Sequence, residues 1–361
     1  MAYLKDLIRI GLFIPAYLFA VFLRALKFRV IHVDSTRLGH FFCDLHLSAQ
    51  GRPAEGGLKF LVPLTSRSIN TLNDVLPKNF VPIYSPALKK FAGWFRHFPT
   101  IVLNVTNSHT HINDLWLFRK IHLPNRYLEL IQKFDSMWLR QLEAFSDDVS
   151  SGKSYVAFHW RSGWDNDAEQ SFRNTNDKVA FKICETLISN GHSVVNLGSD
   201  IIDLDGVDNP RRSGTFTELD MLKTIRNAEA FVGDSSGPTM VALLFRMPAL
   251  IFDIFPPDIF PSNEKSLVHY PQVLPSSKDI NQRDFVESYR TLTYGSELNK
   301  QKVRLEKLSE KDAITLVNEF LELQNSGPTE VQRNLQKHYS QTFGVSGRIG
   351  YVSSTCKATY W

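Results

Sequence analysis

Short apolar runs alternate with helical patterns through the second half of the chain. Four runs, at 154–158, 194–197, 230–232 and 249–252, have the length of buried strands. Alternation of this kind is typical of a parallel sheet covered by helices on both faces. The pattern therefore predicts an α/β fold in this part of the chain.

The segments between these runs carry helix signals. Gly191 supplies the stop expected just past a helix end, and 217–220 has the spacing of a capping box. Residues 309–323 predict a late amphipathic helix. The predicted buried faces are Ala180, Ile183 and Leu187 in the first helix and Leu219, Leu222 and Ile225 in the second.

The first half is less regular. Strands are predicted at 30–33, 59–62 and 99–105, and a helix at 127–145. The polar stretch 147–152 is taken as the domain boundary. We therefore divide the chain into segments 1–29, 30–150, 151–308 and 309–361, and expect the last to pack back on the N-terminal domain.

The amino terminus carries an uncharged, mostly apolar run at 10–23, bracketed by basic residues. A helix of this length is only about 21 Å long, which is less than the hydrocarbon core of a bilayer. We expect a kinked helix lying at the membrane interface. A cleaved signal peptide and a core-packed helix are the alternatives.

Composition narrows the function classes. The chain has 361 residues, of which 43% are hydrophobic and 22% charged, and a formal net charge of +4. Because Lys and Arg are dispersed, a nucleic-acid partner is not expected. The three cysteines lack a C-x-x-C pair, which argues against a disulfide framework and a zinc site. No metal site is predicted, since the H-x-H of His109 and His111 has no third ligand nearby.

Polar residues follow each predicted strand, at the positions where doubly wound sheets bind ligands. After the first strand, Arg161 can hold a diphosphate through two parallel hydrogen bonds, and His159 can donate to the same oxygens. Gly198 and Asp200 follow the second strand, and Asp253 the fourth. Together these strand ends indicate a nucleotide diphosphate site.

The third strand runs through Gly233, Asp234, Ser235, Ser236 and Gly237 into a helix. Backbone amides at such a helix start favour an anion by about 0.3 to 2 kcal/mol. A plain helix cap is the alternative. The residues of this stretch are similar to a serine-protease signature, but the predicted helix that follows has no place in the chymotrypsin-type fold. No P-loop motif occurs.

Further candidates come from loops and from the first half. Arg173 and Asn174 are predicted to close over the ligand, or to be plain loop residues. His40 and Asp44 are one helical turn apart, so Asp44 can orient His40 as a general base. A capping or substrate-contact role for His40 is the alternative.

These residues resemble the largely uncharacterised glycosyltransferases of bacterial surface-polysaccharide gene clusters. The matching stretches lie at 36–41, 155–161, 173–174, 190–195 and 230–238. The His159 to Arg161 strand end also resembles fucosyltransferase-like enzymes, and the Ser236 to Pro238 helix start is similar to the donor site of heptosyltransferases. Ser162 departs from the family pattern, which has Asp there.

The resemblance implies a GT-B-like fold, in which two Rossmann-like domains face a cleft. It implies a metal-independent transfer of sugar from a nucleotide-activated donor, with no other cofactor, to a lipid-linked or growing capsule or O-antigen polysaccharide. The donor would bind the domain at 151–308 and the acceptor the domain at 30–150. The enzyme would be cytoplasmic, peripheral on the inner face of the membrane. The catalytic residues would be His40 and Asp44, and the substrate-binding residues Arg37, Gly39, His159, Arg161, Arg173, Asn174, Gly198, Asp200, Asp234, Ser235, Ser236 and Gly237.

Two other function classes stay open. A non-catalytic glycan- or nucleotide-binding module would keep the donor pocket but need no base at His40. A His40→Ala variant that binds nucleotide without turnover would favour the enzyme. Another nucleotide-sugar enzyme, such as an epimerase, is disfavoured because no G-x-G-x-x-G motif for a dinucleotide occurs.

Overall fold

The computed structural model describes residues 22, 25–26, 28–30, 59–64, 80–84, 154–162, 174–254, 263–275, 303–343 and 350–356. The chain divides into two compact units. One comprises Met1–His122 and Gln132–Leu142, and the other Leu123–Ile131 and Glu143–Trp361. The predicted strand at 99–105, the helix at 127–145 and the linker at 147–152 lie outside the described residues, and the predicted domain limits stay a prediction.

The first unit contains a parallel three-stranded sheet. Its strands lie in the order β1-β2-β3, and β2 confirms the strand predicted from 59. The first strand begins earlier than predicted, and β3 was missed because Pro82 interrupts its apolar run. The strands are β1 (Phe28–Val30), β2 (Lys59–Leu64) and β3 (Phe80–Tyr84).

The second unit is built on a parallel seven-stranded sheet, as the alternating pattern predicts. The strands are β4 (Tyr155–His159), β5 (Ser193–Asn196), β6 (Val207–Asp208), β7 (Ala230–Gly233), β8 (Ala249–Ile251), β9 (Leu267–Val268) and β12 (Tyr351–Val352). Their order in the sheet is β12-β9-β8-β7-β4-β5-β6, which is a doubly wound arrangement with β4 and β7 side by side near the middle.

Helices and a ribbon complete the described part of this unit. The antiparallel ribbon pairs β10 (Gln272–Pro275) with β11 (Val303–Glu306). A short 3₁₀ helix spans Pro210–Ser213. The α-helices are α1 (Asp177–Ser189), α2 (Glu218–Asn227), α3 (Gly237–Leu244), α4 (Glu310–Ser326) and α5 (Glu330–Phe343).

The first helix, α1, shows how local signals and packing agree. The side chain of Asn176 caps it by accepting from the amide of Lys178 at 3.0 Å, and Gly191 follows it with φ +87°. Its predicted apolar face is fully buried, and each such leucine or isoleucine contributes about 1.5 to 3 kcal/mol. This face joins the core that α4 also lines.

One detail of the α2 prediction is wrong. Leu222 and Ile225 are fully buried, but Leu219 is only half-buried, and Met221 is buried in its place. The buried face therefore keeps Leu222 and Ile225, and it extends toward Met221 and Thr224 rather than toward Leu219. The capping box itself is confirmed.

The carboxyl-terminal segment has its described contacts within the second unit, and its expected packing on the N-terminal domain stays a prediction. The late helix is confirmed as α4, which packs against α1, and β12 extends the seven-stranded sheet beside β9. The described parts of this segment therefore complete the second unit. A two-residue strand carries too little pattern to be predicted from sequence.

None of the described helices is long and apolar enough to span a membrane. The predicted interface helix at 10–23 lies outside the described residues apart from Phe22, whose side chain is exposed, as is that of Leu26 nearby.

Candidate functional site

The carboxyl ends of β4 and β7 form the topological switch point of the sheet. From β4 the chain moves outward to β5 and β6, then returns to the other side of β4 for β7, β8 and β9. Loops that leave β4 and β7 therefore diverge in opposite directions and leave a crevice between them, where ligands of such sheets bind. His159 and Gly233, the last residues of these two strands, are register partners.

Gly233 allows the two strand ends to approach closely. A β-carbon at this position would lie 2.9 Å from the carbonyl oxygen of His159 and 2.6 Å from the ring of Phe231. The next amide, of Asp234, donates to the same His159 oxygen at 3.3 Å. The backbone geometry of the crevice floor thus requires glycine at 233.

Asp234 fixes the residues around it. Its side chain is fully buried, and Oδ2 accepts from the Arg161 amide at 2.6 Å and from the Thr175 hydroxyl at 2.9 Å. Thr175 also donates its amide to the Arg161 carbonyl at 2.9 Å. Asp234 therefore positions the Arg161 backbone. Its predicted contact with the donor stays a prediction.

His159 is held in the neutral form. Burial, together with the guanidinium charges of Arg211 and Arg161, lowers the pKa of its imidazole to about 3. Nδ1 lies 3.9 Å from Asp234 Oδ1, and it has no hydrogen-bond partner among the described residues. At neutral pH the ring can donate one hydrogen bond and accept one. The two guanidinium groups add positive charge near the ring.

The start of α3 is not capped by its own side chains. Ser236 makes no capping hydrogen bond to the helix, and its Oγ lies 3.0 Å from the Thr239 hydroxyl, which donates to the Asp234 carbonyl. The first N–H groups of a helix lack intrahelical partners. Pro238, at the second position of α3, has no backbone N–H group. The amides of Gly237 and Thr239 are therefore suited to binding an anion.

The end of β5 adjoins this crevice through Asn196. Its Oδ1 accepts from the Gly198 amide at 2.8 Å, and its Nδ2 donates to the Asp200 carbonyl at 2.7 Å. The Asp200 carboxylate accepts from the hydroxyl of Ser162. Gly198 and Asp200 are thus placed beside the residues that follow β4.

Asp253, two residues after the end of β8, is held in a rare conformation. Its φ is +50°, its Oδ1 accepts from the Leu308 amide at 2.9 Å, and the same oxygen lies 3.2 Å from Nδ1 of His269. A left-handed backbone costs a non-glycine residue about 1 to 3 kcal/mol, so these contacts hold the turn in place. Lys307, next to Leu308, donates to the carbonyl of Asn174.

The structure therefore gathers the described predicted residues along one edge of the sheet. His159, Arg161, Asn174, Gly198, Asp200 and the stretch 234–237 all lie there. Arg37, Gly39, His40, Asp44 and Arg173 lie outside the described residues. Within the described part of the chain no group of three His, Cys, Asp or Glu side chains could hold a metal ion.

Sequence reasoning missed three residues of this edge. Thr175 carries no motif, and Lys307 is far from the other residues in sequence. Arg211 belongs to the 3₁₀ helix, where its Nε donates to the Leu197 carbonyl at 2.8 Å and its guanidinium lies 5.7 Å from the centre of the Phe216 ring. The signal that could have found Arg211 is the Arg-Arg pair after Pro210, in a segment that follows a strand end.

Comparisons with known proteins give weak likenesses. No protein-family model and no curated protein matches the chain. The chain is similar to a solved glycosyl transferase family 9 structure from Veillonella parvula (TM-score 0.42, 11% identity, 81% of this chain and 97% of that chain). It is also similar to the ADP-heptose lipopolysaccharide heptosyltransferase II of Escherichia coli (0.42, 14%, 83% and 99%) and to heptosyltransferase WaaC of E. coli with ADP (0.38, 10%, 68% and 91%).

Proposed function

We propose that this chain is a glycosyltransferase that uses a nucleotide-activated sugar. The observation that carries the proposal is the uncapped start of α3 at the switch point, with Arg161 fixed beside it by Asp234. A diphosphate suits this place because it offers several anionic oxygens to the amides of Gly237 and Thr239 and to a guanidinium.

The chemistry requires stabilisation of a leaving group. As the bond between the sugar and the phosphate breaks, negative charge builds on the departing diphosphate, and the acceptor hydroxyl loses its proton as the new glycosidic bond forms. Arg161 and the α3 amides are placed to stabilise that charge, and one preorganised donor contributes about 3 kcal/mol. These groups supply positive charge without a metal ion, so we propose a metal-independent transfer.

His159 would assist as a neutral hydrogen-bond donor to the same phosphate oxygens. Because its pKa is about 3, the ring has already lost its imidazolium proton near neutral pH and keeps a single N–H. It therefore does not act as a general acid there. The proton of the acceptor is instead assigned to His40, oriented by Asp44. Ser235, Ser236, Gly198, Asp200, Arg173 and Asn174 would complete the donor site, and Arg37 and Gly39 would bind substrate near His40.

The acceptor and the location follow from the amino terminus and the resemblance in sequence. A basic, apolar segment at the membrane interface would keep the enzyme peripheral on the cytoplasmic face, where lipid-linked glycans are built. We therefore propose a lipid-linked or growing surface polysaccharide of the capsule or O-antigen type as acceptor.

A thermal-shift screen against UDP, GDP, CMP and ADP tests the donor site. A nucleotide at 100 times its dissociation constant stabilises the folded state by about 2.7 kcal/mol, so the matching nucleotide should raise Tm by several degrees. No shift with any of the four would contradict the proposal.

Two arginine variants sharpen the same test. Arg161→Ala should weaken binding of the selected nucleoside diphosphate by about 10- to 100-fold, since a hydrogen bond to a charged group contributes about 1.5 to 3 kcal/mol. Arg333→Ala removes the same charge from an exposed position on α5 and should leave the affinity unchanged. Equal affinity in both variants would remove Arg161 from the site.

A further inference from the structure

Lys307 lies at the same edge of the sheet, although it comes from the short connection between β11 and α4. Its neighbour Leu308 donates its amide to Asp253 Oδ1 at 2.9 Å. Asp253 comes two residues after β8, so this hydrogen bond holds the connection near the carboxyl end of that strand. The hydrogen bond from Leu308 to Asp253 therefore fixes the position of the Lys307 backbone.

The Lys307 side chain reaches from the β8 side toward β4. Its Nζ donates to the carbonyl of Asn174, and the next residue, Thr175, is bound to both Arg161 and Asp234. An ammonium group has three protons to donate. Within the described ranges Asn174 accepts from one of them, and an anion bound beside Lys307 would accept from the others.

One oxygen of each carboxylate near Lys307 accepts hydrogen bonds from other groups. Asp253 Oδ1 accepts from the Leu308 amide and lies 3.2 Å from His269 Nδ1, and Asp234 Oδ2 accepts from the Arg161 amide and the Thr175 hydroxyl. These two acids therefore hold backbone and loops in place. Both charges attract the half-buried ammonium, which among the described residues donates to the Asn174 carbonyl rather than to either carboxylate.

The electrostatics of Lys307 fit an anion site. Burial lowers the pKa of its ammonium, the charges of Asp253 and Asp234 raise it, and the Arg161 guanidinium lowers it. Lys307 and Arg161 are thus close enough for their like charges to repel. An anion bound between two such cations relieves both that repulsion and the cost of burying the ammonium.

We propose that Lys307 binds the phosphate groups of a diphosphate ligand, together with Arg161 and the amides at the start of α3. The inference rests on the proposed function, in which that diphosphate belongs to the sugar donor. It adds a cation that no strand-end motif contains. It also places the phosphates on the side of the crevice next to the carboxyl end of β8 and the start of α4.

Inorganic pyrophosphate tests this inference without knowledge of the base or the sugar. Calorimetric titration should use the full chain and its Lys307→Gln, Lys307→Arg and Lys337→Gln variants. Glutamine at 307 removes the charge but keeps a donor for the Asn174 carbonyl, so a loss of binding reports the charge. Lys337 is exposed on α5 and gives the matched control.

The expected result is pyrophosphate binding that Lys307→Gln weakens by about 10- to 100-fold, with Lys307→Arg within about threefold of the unchanged protein and Lys337→Gln equal to it. Equal affinity in the two glutamine variants overturns the inference, as does a lack of pyrophosphate binding by the unchanged protein. Thermal unfolding of each ligand-free variant shows that the fold is intact at the titration temperature.

The two proposals fail differently. Pyrophosphate binding that depends on Lys307, with no tighter binding of any nucleoside diphosphate, supports the phosphate site and contradicts the nucleotide-sugar donor. Nucleoside diphosphate binding that is the same in Lys307→Gln and Lys337→Gln leaves the donor site standing and removes Lys307 from it.

Discussion

The helices α2 and α3 both begin at a hydroxyl residue, but they treat their free amides in opposite ways. At α2, the Thr217 amide donates to Asp220 Oδ2 at 2.8 Å, and the Asp220 amide donates back to Thr217 Oγ1 at 3.2 Å. At α3, Ser236 makes no capping bond, and no acidic residue lies in the first turn. A hydroxyl residue thus caps the start of α2 but leaves the start of α3 uncapped.

The difference lies in the neighbours of each helix start. Acidic side chains in the first turn of α2 satisfy its dipole from within the helix. The start of α3 faces the switch point, where the Arg161 backbone is fixed and where the charges of Arg161 and Arg211 add to burial in lowering the pKa of His159. A helix start that the protein closes itself has a structural role, and one left open among cations is suited to an anionic ligand.

Among the variants that test this difference between α2 and α3, we expect Asp234→Ala to have the largest effect on the free energy of unfolding. The change removes the acceptor from two donors, the Arg161 amide and the Thr175 hydroxyl, and each unsatisfied buried group costs about 1 to 3 kcal/mol. We expect the free energy of unfolding to fall by about 2 to 4 kcal/mol in chemical denaturation. Asp203→Ala, at an exposed acid, should change it by less than about 0.5 kcal/mol. Similar losses in the two variants would show that Asp234 does not fix the open helix start.

A second effect is the response of stability to pH. The folded-state pKa of His159, about 3, lies below its unfolded value of about 6.5, so the unfolded chain binds the proton first as the pH falls. Stability from this group is present above about pH 6.5 and is lost progressively between 6.5 and 3, by about 2 kcal/mol between pH 7 and pH 5. Denaturation of the unchanged protein and of His159→Asn at both pH values measures this. An equal fall in both proteins would contradict a neutral, buried His159.

The smallest effects separate the two helix starts directly. Thr217→Ala should cost about 1 kcal/mol of stability and leave nucleoside diphosphate affinity unchanged, because the capping box serves only α2. Ser236→Ala should cost less stability and weaken that affinity by about two- to tenfold. Denaturation and calorimetric titration of the two variants give four numbers. The same pattern in both would mean that the helix starts do not differ in role.

Much of the sheet could be predicted, because β4, β5, β7 and β8 are continuous apolar runs between helical patterns. Periodicity and capping also located α1, α2 and α4. By contrast, β9 and β12 have two residues each, and their pairing with distant strands leaves no local pattern. The placement of the carboxyl-terminal segment in this sheet depends on such long-range contacts.

The candidate site divides in the same way. Arg161, Ser236 and Gly237 follow directly from the rule that ligands bind after the strands of a doubly wound sheet. The carboxylate of Asp234 turned inward, toward the Arg161 amide and Thr175, which the rule does not foresee. Lys307 is held at the site by its own hydrogen bond to Asn174 and by the hydrogen bond of its neighbour Leu308 to Asp253. No sequence motif near residue 307 predicts these contacts.

A crystal structure of the full chain with the nucleoside diphosphate that gives the largest thermal shift would show most directly whether the start of α3 binds an anion. We expect the diphosphate at the carboxyl ends of β4 and β7, with phosphate oxygens about 3 Å from the amide of Gly237 and from the Arg161 guanidinium. A nucleotide bound elsewhere, with the start of α3 occupied only by water, would contradict it.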